Sequence, residues 1–483
     1  MKKYKSLGII VFLCLILCFL GTGWKKQNIF FKAQNTLPCV NIAIPSVHEA
    51  ADVELVEDAI NKLTSERYGC NIHIIYIPME NWKQQISLLL VNKEVDIMAC
   101  MSEPTLPSLV KEGKLMELDE CVANASEEFR NVWDEETLVG TKVNGKTYAI
   151  PSYRNYGNYI GLTIEKEIAG EYGIQSGKRM SLDEISLFLY DLKKKYPDRY
   201  PLVPQGGDAL VNGWTWDGLG DSKNIGVLEN CGQSLVVKNI FDTEGFQDFC
   251  RYTRQWYQDG LIYPDILNNT LRGDELVKDS KGICYFENFA NMEQTEVVHT
   301  VSVEPWAVSN SYIEVGYGIN AESANKETAW KVLEMLFTDP EVNTLLVDGI
   351  EGTHYERNAD GTIAWTSKKS KGYLMADQYY FFPYCANTPP LQEEGADFWK
   401  KLDFFNKNVR TSKAIGFCFD SSEVSAEYQL CEAVVDKYYT AILSGAVDTE
   451  KMTERADREM KAAGIEKVIA EKQRQLEQFL KIN

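Results

Sequence analysis

From Cys39 onward the apolar positions fall into runs with two different periods. Val40–Ile44 is a short apolar run closed by Pro45, as a buried strand is. Val53, Val56, Ile60 and Leu63 then recur at helical spacing, and Gly69 is placed to end that helix. Ile72–Ile77 is apolar at nearly every position, the pattern of a strand buried on both faces, and Pro78 stops it. A second helical stretch carries Trp82, Ile86, Leu89 and Leu90, and a third strand spans Val95–Cys100. Strand, helix, strand, helix, strand predicts a parallel sheet covered by helices. Ligands of such sheets sit beyond the carboxyl ends of the strands, here the loops Pro45–His48, Pro78–Asn81 and Met101–Pro104.

Further along, Val143–Pro151 reads as a hairpin turning at Asn144-Gly145. A second α/β region is expected from about Tyr153. Ser181-Leu-Asp-Glu184 is a capping box opening a helix with Phe188, Leu189 and Leu192. Phe246–Asp259 reads as an amphipathic helix, Lys281–Phe286 as a strand, and Thr328–Phe337 as a helix ended by Asp339-Pro340. Asn358–Gly361 marks a turn between extended segments. From Ser422 the chain is strongly helical, and Thr449–Asn483 is a charged, amphipathic finish. No internal repeat or low-complexity segment interrupts this order.

Composition narrows the function. The chain has 483 residues and a formal net charge of -20. Its length calls for more than one core. The acidity excludes a nucleic-acid face and adhesion of the folded body to anionic lipid. Lys2, Lys3 and Lys5 followed by apolar Leu7–Leu20 form the n-region and h-region of an export signal. Three fates fit it: lipidation at Cys18, although bulky Leu17 stands where a lipobox wants a small residue; cleavage near Gly23; or retention of Ser6–Trp24 as a span. Each puts the body outside the cytoplasm, at the extracellular face of the membrane, with residues 25–38 as a tether. None of the twelve cysteines forms a CxxC pair, which disfavours a zinc ribbon or thioredoxin-like site.

Catalytic and cofactor signatures are missing from the sequence. There is no Walker A loop, no GxGxxG after a strand, no GxSxG elbow and no HExxH. The four histidines are scattered, and the 70 carboxylates provide no specific pair. No metal, cofactor or catalytic residue is expected. Aromatic clustering in loops stands out instead. Tyr153, Tyr156 and Tyr159 interleave with Asn155 and Asn158; Trp214 and Trp216 lie in a Gly/Asp-rich loop; Trp306 follows Pro305. Aromatic faces beside amide and carboxylate groups suit the C–H faces and hydroxyl edges of a sugar. The candidate ligand contacts are therefore Trp214, Trp216, Tyr153, Tyr156, Asn155 and Trp306, with Ser46, Glu103, Phe286 and Asn288 at strand ends.

Several segments also carry a family resemblance. Glu80–Leu90 followed by Val95–Met98, Glu112–Asp119, Asn144–Pro151, Leu336–Thr344 and Gly349–Tyr355 are similar to segments of the extracellular solute-binding proteins of ABC importers, in particular the lipoprotein-type sugar-binding branch of Gram-positive bacteria. The resemblance implies an α/β, two-lobed periplasmic-binding-protein-like fold of type II, with discontinuous lobes, a hinge and an interlobe cleft. The expected division is 39–150 with 287–345 for lobe 1 and 151–286 with 346–483 for lobe 2. It implies a monomer that captures a small ligand, an oligosaccharide by preference, and delivers it to a permease and its ATPase. A secreted carbohydrate-active enzyme and a ligand-sensing ectodomain of a membrane kinase are the competing readings.

Overall fold

A computed structural model describes residues 37–482, apart from positions 102, 134–136, 139, 291–296, 367–371 and 374 and the side chain of Asp377. The export segment and Cys18 lie outside the described residues. Pro38 onward forms one compact unit. No helix among the described residues is long and apolar enough to cross a membrane.

Two sheets organise two cores. The first has five strands in the order β2-β1-β3-β12-β6: β1 (Cys39–Ser46), β2 (Asn71–Pro78), β3 (Ile97–Cys100), β12 (Gly316–Ile319) and β6 (Ala149–Pro151). β1 pairs in parallel with both β2 and β3, as the alternating pattern predicts. The connecting helices are α1 (Val53–Arg67) and α2 (Trp82–Asn92), which bury Val56 and Ile60, and Trp82, Ile86 and Leu90. One expectation changes: β2 is the outer strand, so His73 points to solvent and pairs with Glu57 at 3.0 Å instead of being buried. α3 (Leu106–Lys111) follows β3, and the short hairpin β4 (Lys142–Val143) and β5 (Lys146–Thr147) precedes β6.

The second sheet is ordered β15-β11-β7-β9-β8, where β7 is Asn158–Glu165, β8 Tyr200–Val203, β9 Gly282–Phe289, β11 Val303–Ala307 and β15 Arg410–Thr411; β10 (Val297–His299) also pairs with β7. Its core takes in α4 (Leu182–Lys195) and α5 (Glu244–Gln258). α4 opens at the expected capping box, with both reciprocal bonds of Ser181 and Glu184 in place. The first core takes in α6 (Lys326–Thr338), α7 (Pro340–Asp348) and the side chains of Tyr373, Met375, Phe381, Phe382 and Cys385, and the chain also forms the hairpin β13 (Tyr355–Arg357) and β14 (Ile363–Trp365). After α8 (Phe398–Asn408), the helices α9 (Ser425–Leu443), α10 (Thr449–Ala463) and α11 (Ile465–Ile482) close on the second core.

The chain therefore crosses between lobes at 152–157, at 308–315 and around Val409. The expected boundaries at 286/287 and 345/346 move. β9, β10 and β11 belong to the second sheet, and Leu346, Val347, Tyr373, Met375, Phe382 and Cys385 pack into the first core. The reason is long-range pairing: β12 inserts antiparallel between β3 and β6, and β9 pairs with the distant β7. The discontinuous two-lobed α/β arrangement itself is as expected.

Candidate functional site

The strands β1, β2 and β3 all end on one edge of the first lobe, at Ser46, Pro78 and Cys100. Ser46 is buried and locks the first of the loops there: its Oγ donates to the His48 carbonyl at 2.6 Å and accepts from His48 N at 3.1 Å and Gln378 Nε2 at 3.0 Å. It shapes this loop and has no exposed hydroxyl. Glu103, beyond β3, is exposed and is met by Lys83 Nζ at 2.9 Å.

The crossovers form the floor. The Tyr153 ring leans on Tyr384 and Trp133, with centroids 5.3 and 5.9 Å away, and burial pushes its hydroxyl pKa well up. Asn155 Nδ2 donates to Asn158 Oδ1 at 2.9 Å, within the first crossover. Tyr156 packs edge-on against Tyr312 of the second crossover at 4.9 Å. Asn406 ties in the third, accepting from Tyr156 N at 3.0 Å and donating to the Arg154 carbonyl at 2.8 Å.

The second lobe corrects most of the aromatic expectations. Trp214, Trp216, Phe286 and Trp306 are 7, 4, 0 and 6% exposed, and all belong to its core. Trp214 packs on Phe249 and Phe286, with centroids 4.8 and 5.7 Å away, and Trp216 on Phe246 at 5.9 Å. Tyr156, at 6%, is equally enclosed. A buried ring has no face to offer a ligand, so these five build the framework. The Gly/Asp-rich stretch around the tryptophans misled because its turns fold inward over the sheet.

Asn288 is placed differently. It is half-buried at the end of β9; its Nδ2 donates to the Asn212 carbonyl at 2.7 Å, and its Oδ1 is enclosed without a partner. Asn212, Ser222 and Asn224 line an adjoining hollow of about 340 Å3. On the other face of the second sheet an aromatic ladder runs from Phe405 through Tyr159 and Phe289 to His299, with steps of 5.6, 5.5 and 4.3 Å. His299 Nδ1 lies 2.9 Å from Thr163 Oγ1, which donates to Glu287 at 2.6 Å; burial pulls the His299 pKa down to about 4 and pushes that of Glu287 up.

The lobes also meet directly, a contact the sequence analysis missed. Lys111 at the end of α3 donates across to Asp420 at 3.3 Å and Glu423 at 3.5 Å and also bonds the Ser422 hydroxyl. Cavities of about 460 and 440 Å3 flank this bridge, each lined by both lobes. The groups lining these cavities mix carboxylates, Glu103, Asp420 and Glu423 among them, with the cationic side chains of Lys83, Lys111, Lys142 and Arg474. A surface of donors and acceptors side by side suits a ligand rich in hydroxyl groups, which both donate and accept. Among the described residues no group of His, Cys, Asp and Glu could hold a metal ion.

Comparison with known proteins agrees with this geometry. Residues 413–481 match the model of a domain of unknown function, DUF3502. A Streptococcus pneumoniae protein named carbohydrate ABC transporter substrate-binding protein is 22% identical over 453 residues, covering 89% of this chain and 88% of its own length. Among solved structures, the N-glycan transport solute-binding protein NgtS of Streptococcus pneumoniae is similar with a TM-score of 0.80 at 19% identity, covering 92% of this chain and 99% of that one. Its complex with Man5GlcNAc scores 0.70, with the same identity and coverage. An extracellular solute-binding protein of Bifidobacterium longum subsp. infantis scores 0.61 at 13% identity, covering 92 and 98%. These likenesses establish the fold, that of a two-lobed solute-binding protein.

Proposed function

We propose that this chain is the extracellular receptor of an ABC importer for carbohydrate: it captures a neutral oligosaccharide between its lobes and delivers it to a permease driven by its ATPase. The observation that carries the reading is the two-core body with three crossovers, alike over 92% of its length to a glycan-transport protein. In that arrangement a ligand stabilises the closed state by touching both lobes, and the closed pair presents a joint surface to the membrane partner. The chain works as a monomer, leaves its ligand chemically unchanged, and is held at the membrane through the segment containing Cys18 or the uncleaved apolar run. The sugar is neutral because a protein of net charge -20 repels an anionic one. Ser46, Glu103, Tyr153, Asn155 and Asn288 stand nearest to the ligand, as shapers or direct contacts.

A thermal-shift and calorimetry panel of Man5GlcNAc, kestose, cellotetraose and an alginate tetrasaccharide tests this. A neutral glycan at a hundred times its Kd stabilises the fold by about 2.7 kcal/mol, and chromatography recovers it intact. A panel with no shift, a preference for the anionic sugar, or a cleaved product ends the reading.

A further inference from the structure

The final helix contains a residue that its own pattern does not predict. Ile465, Val468, Lys472 and Leu476 form the buried stripe of α11, so a lysine stands where an aliphatic side chain would pack. It is the one buried lysine among the described residues, and its side chain is wholly enclosed. Its Nζ meets four oxygens: Ile225 O at 2.8 Å, Gly226 O at 2.9 Å, Asp221 Oδ2 at 3.0 Å and Gly218 O at 3.2 Å. The Phe419 ring lies against it at 4.8 Å. Three of the four oxygens are backbone carbonyls, which only accept, so a neutral amine would aim its lone pair at an acceptor. Burial draws the Lys472 pKa down, and Asp221 opposes that pull.

An ammonium has three N–H donors, and here it faces four acceptors. One proton is therefore shared, whereas a spherical ion would satisfy all four oxygens at once. Convergent carbonyls that replace a hydration shell, with one carboxylate to balance a single charge, are the surroundings of a monovalent cation. The spacing is too wide for the common divalent ions: calcium takes oxygens at about 2.3–2.6 Å and magnesium at about 2.0–2.1 Å. The fold holds these oxygens by other bonds as well. Asp221 Oδ2 also accepts from Ile225 N at 3.0 Å, and its Oδ1 accepts from Lys223 N at 2.9 Å and from the Tyr428 hydroxyl at 2.7 Å. Gly226 has a φ of +81°, a conformation that a side chain would resist. Earlier in the same loop, Asp217 grips the second crossover by accepting from Ser309 N and from the Ser309 hydroxyl.

We propose that Gly218 O, Asp221 Oδ2, Ile225 O and Gly226 O form a site for a monovalent cation of the size of potassium or ammonium, and that this chain carries its own occupant, the Lys472 ammonium delivered by α11. The resident cation ties the final helix, inside the segment that matches DUF3502, to the loop that grips the second crossover. It does so whether or not the cleft takes a glycan, so the proposal stands apart from the capture reading.

Removing the tethered cation tests it, with each melting temperature read against the parent protein in the same salt. Lys472→Ala empties the site and melts lower by on the order of 10 °C in tetramethylammonium chloride, whose ion is too large to enter. Potassium or ammonium chloride at about 0.5 M recovers about 3 °C or more of that loss, and calcium chloride at equal ionic strength recovers less. Lys472→Met fills the space with an uncharged chain, so it is destabilised too but gains nothing from potassium over tetramethylammonium. Equal melting of Lys472→Ala in potassium and tetramethylammonium overturns the proposal, and so does a greater recovery with calcium. Should Lys472→Ala fold in neither salt, the parent protein decides. Labelled with 15N-lysine, it shows one Nζ resonance in the ammonium range whose protons are shielded from exchange at neutral pH. A neutral-amine resonance, or no shielded Nζ, overturns the resident cation.

Discussion

Trp214 and Trp216 show how burial redirects the chemistry of a side chain. Each ring is enclosed by other aromatics, so removing one leaves a cavity in the second core. Trp214→Ala and Trp216→Ala are each expected to cost about 3–5 kcal/mol of stability. Chemical denaturation should show the lowered midpoint, while calorimetry on the folded fraction finds ligand affinity little changed. A loss of affinity at full stability would return the rings to the cleft. At this scale the sequence conveyed residue types but not their exposure. Gly and Asp around Trp216 read as a surface loop, yet Asp217 is itself fully buried, holding Ser309 N at 2.9 Å and the Ser309 hydroxyl at 2.9 Å. A turn that spends its polar groups on partners inside the protein has the same composition as one facing water. Lys472 is the opposite case: a lysine in a charged helix has the composition of a solvated face, yet its side chain is fully buried on the stripe of Ile465, Val468 and Leu476.

Elements were legible where periodicity is local. Alternation from β1 to β3 follows from spacing within windows of a few residues, and so does the length of α6. The insertion of β12 into the first sheet depends on a partner more than 200 residues away and leaves no local trace. The same holds for the centre of the second sheet, where β7 is approached so closely that one position tolerates no side chain. A Cβ at Gly161 would lie 1.8 Å from the Thr300 carbonyl oxygen, in the segment that bonds Thr300 N to Leu162 O at 2.8 Å and Ser302 N to Ile160 O at 2.8 Å. The obstacle is backbone, so it cannot swing aside as a flexible side chain would. Gly161→Ala is expected to cost about 3 kcal/mol or more, at the upper end of overpacking effects. Hydrogen exchange should show protection lost first at Leu162, Thr300 and Ser302. Wild-type stability and exchange in this variant would contradict the close approach.

Across the whole molecule, capture requires two lobes that part and meet, and the crossovers alone do not choose between those states. Contacts made only when the lobes approach bias the equilibrium by their differential free energy. The bridge from Lys111 to Asp420, Ser422 and Glu423 is such a contact, since its two ends stand on different cores. The Ser422 hydrogen bonds, with Lys111 adding to them, hold the Asp420 carboxyl below the usual carboxylate range, and Asp420 in turn raises the Lys111 pKa. Much of the bridge is open to water, so its effect is modest and screened by salt. Lys111→Met should move the unliganded ensemble towards the open form by about two- to fivefold and weaken glycan affinity by a similar factor, without lowering the melting temperature of either core. Small-angle scattering would register a larger radius of gyration for the variant at low ionic strength. At about 1 M salt, where the screening length is about 3 Å, parent and variant should converge. If the two proteins scatter alike at low salt and bind alike, the bridge is incidental to closure. Convergence confined to high salt would show that one surface lysine sets how readily the cleft shuts.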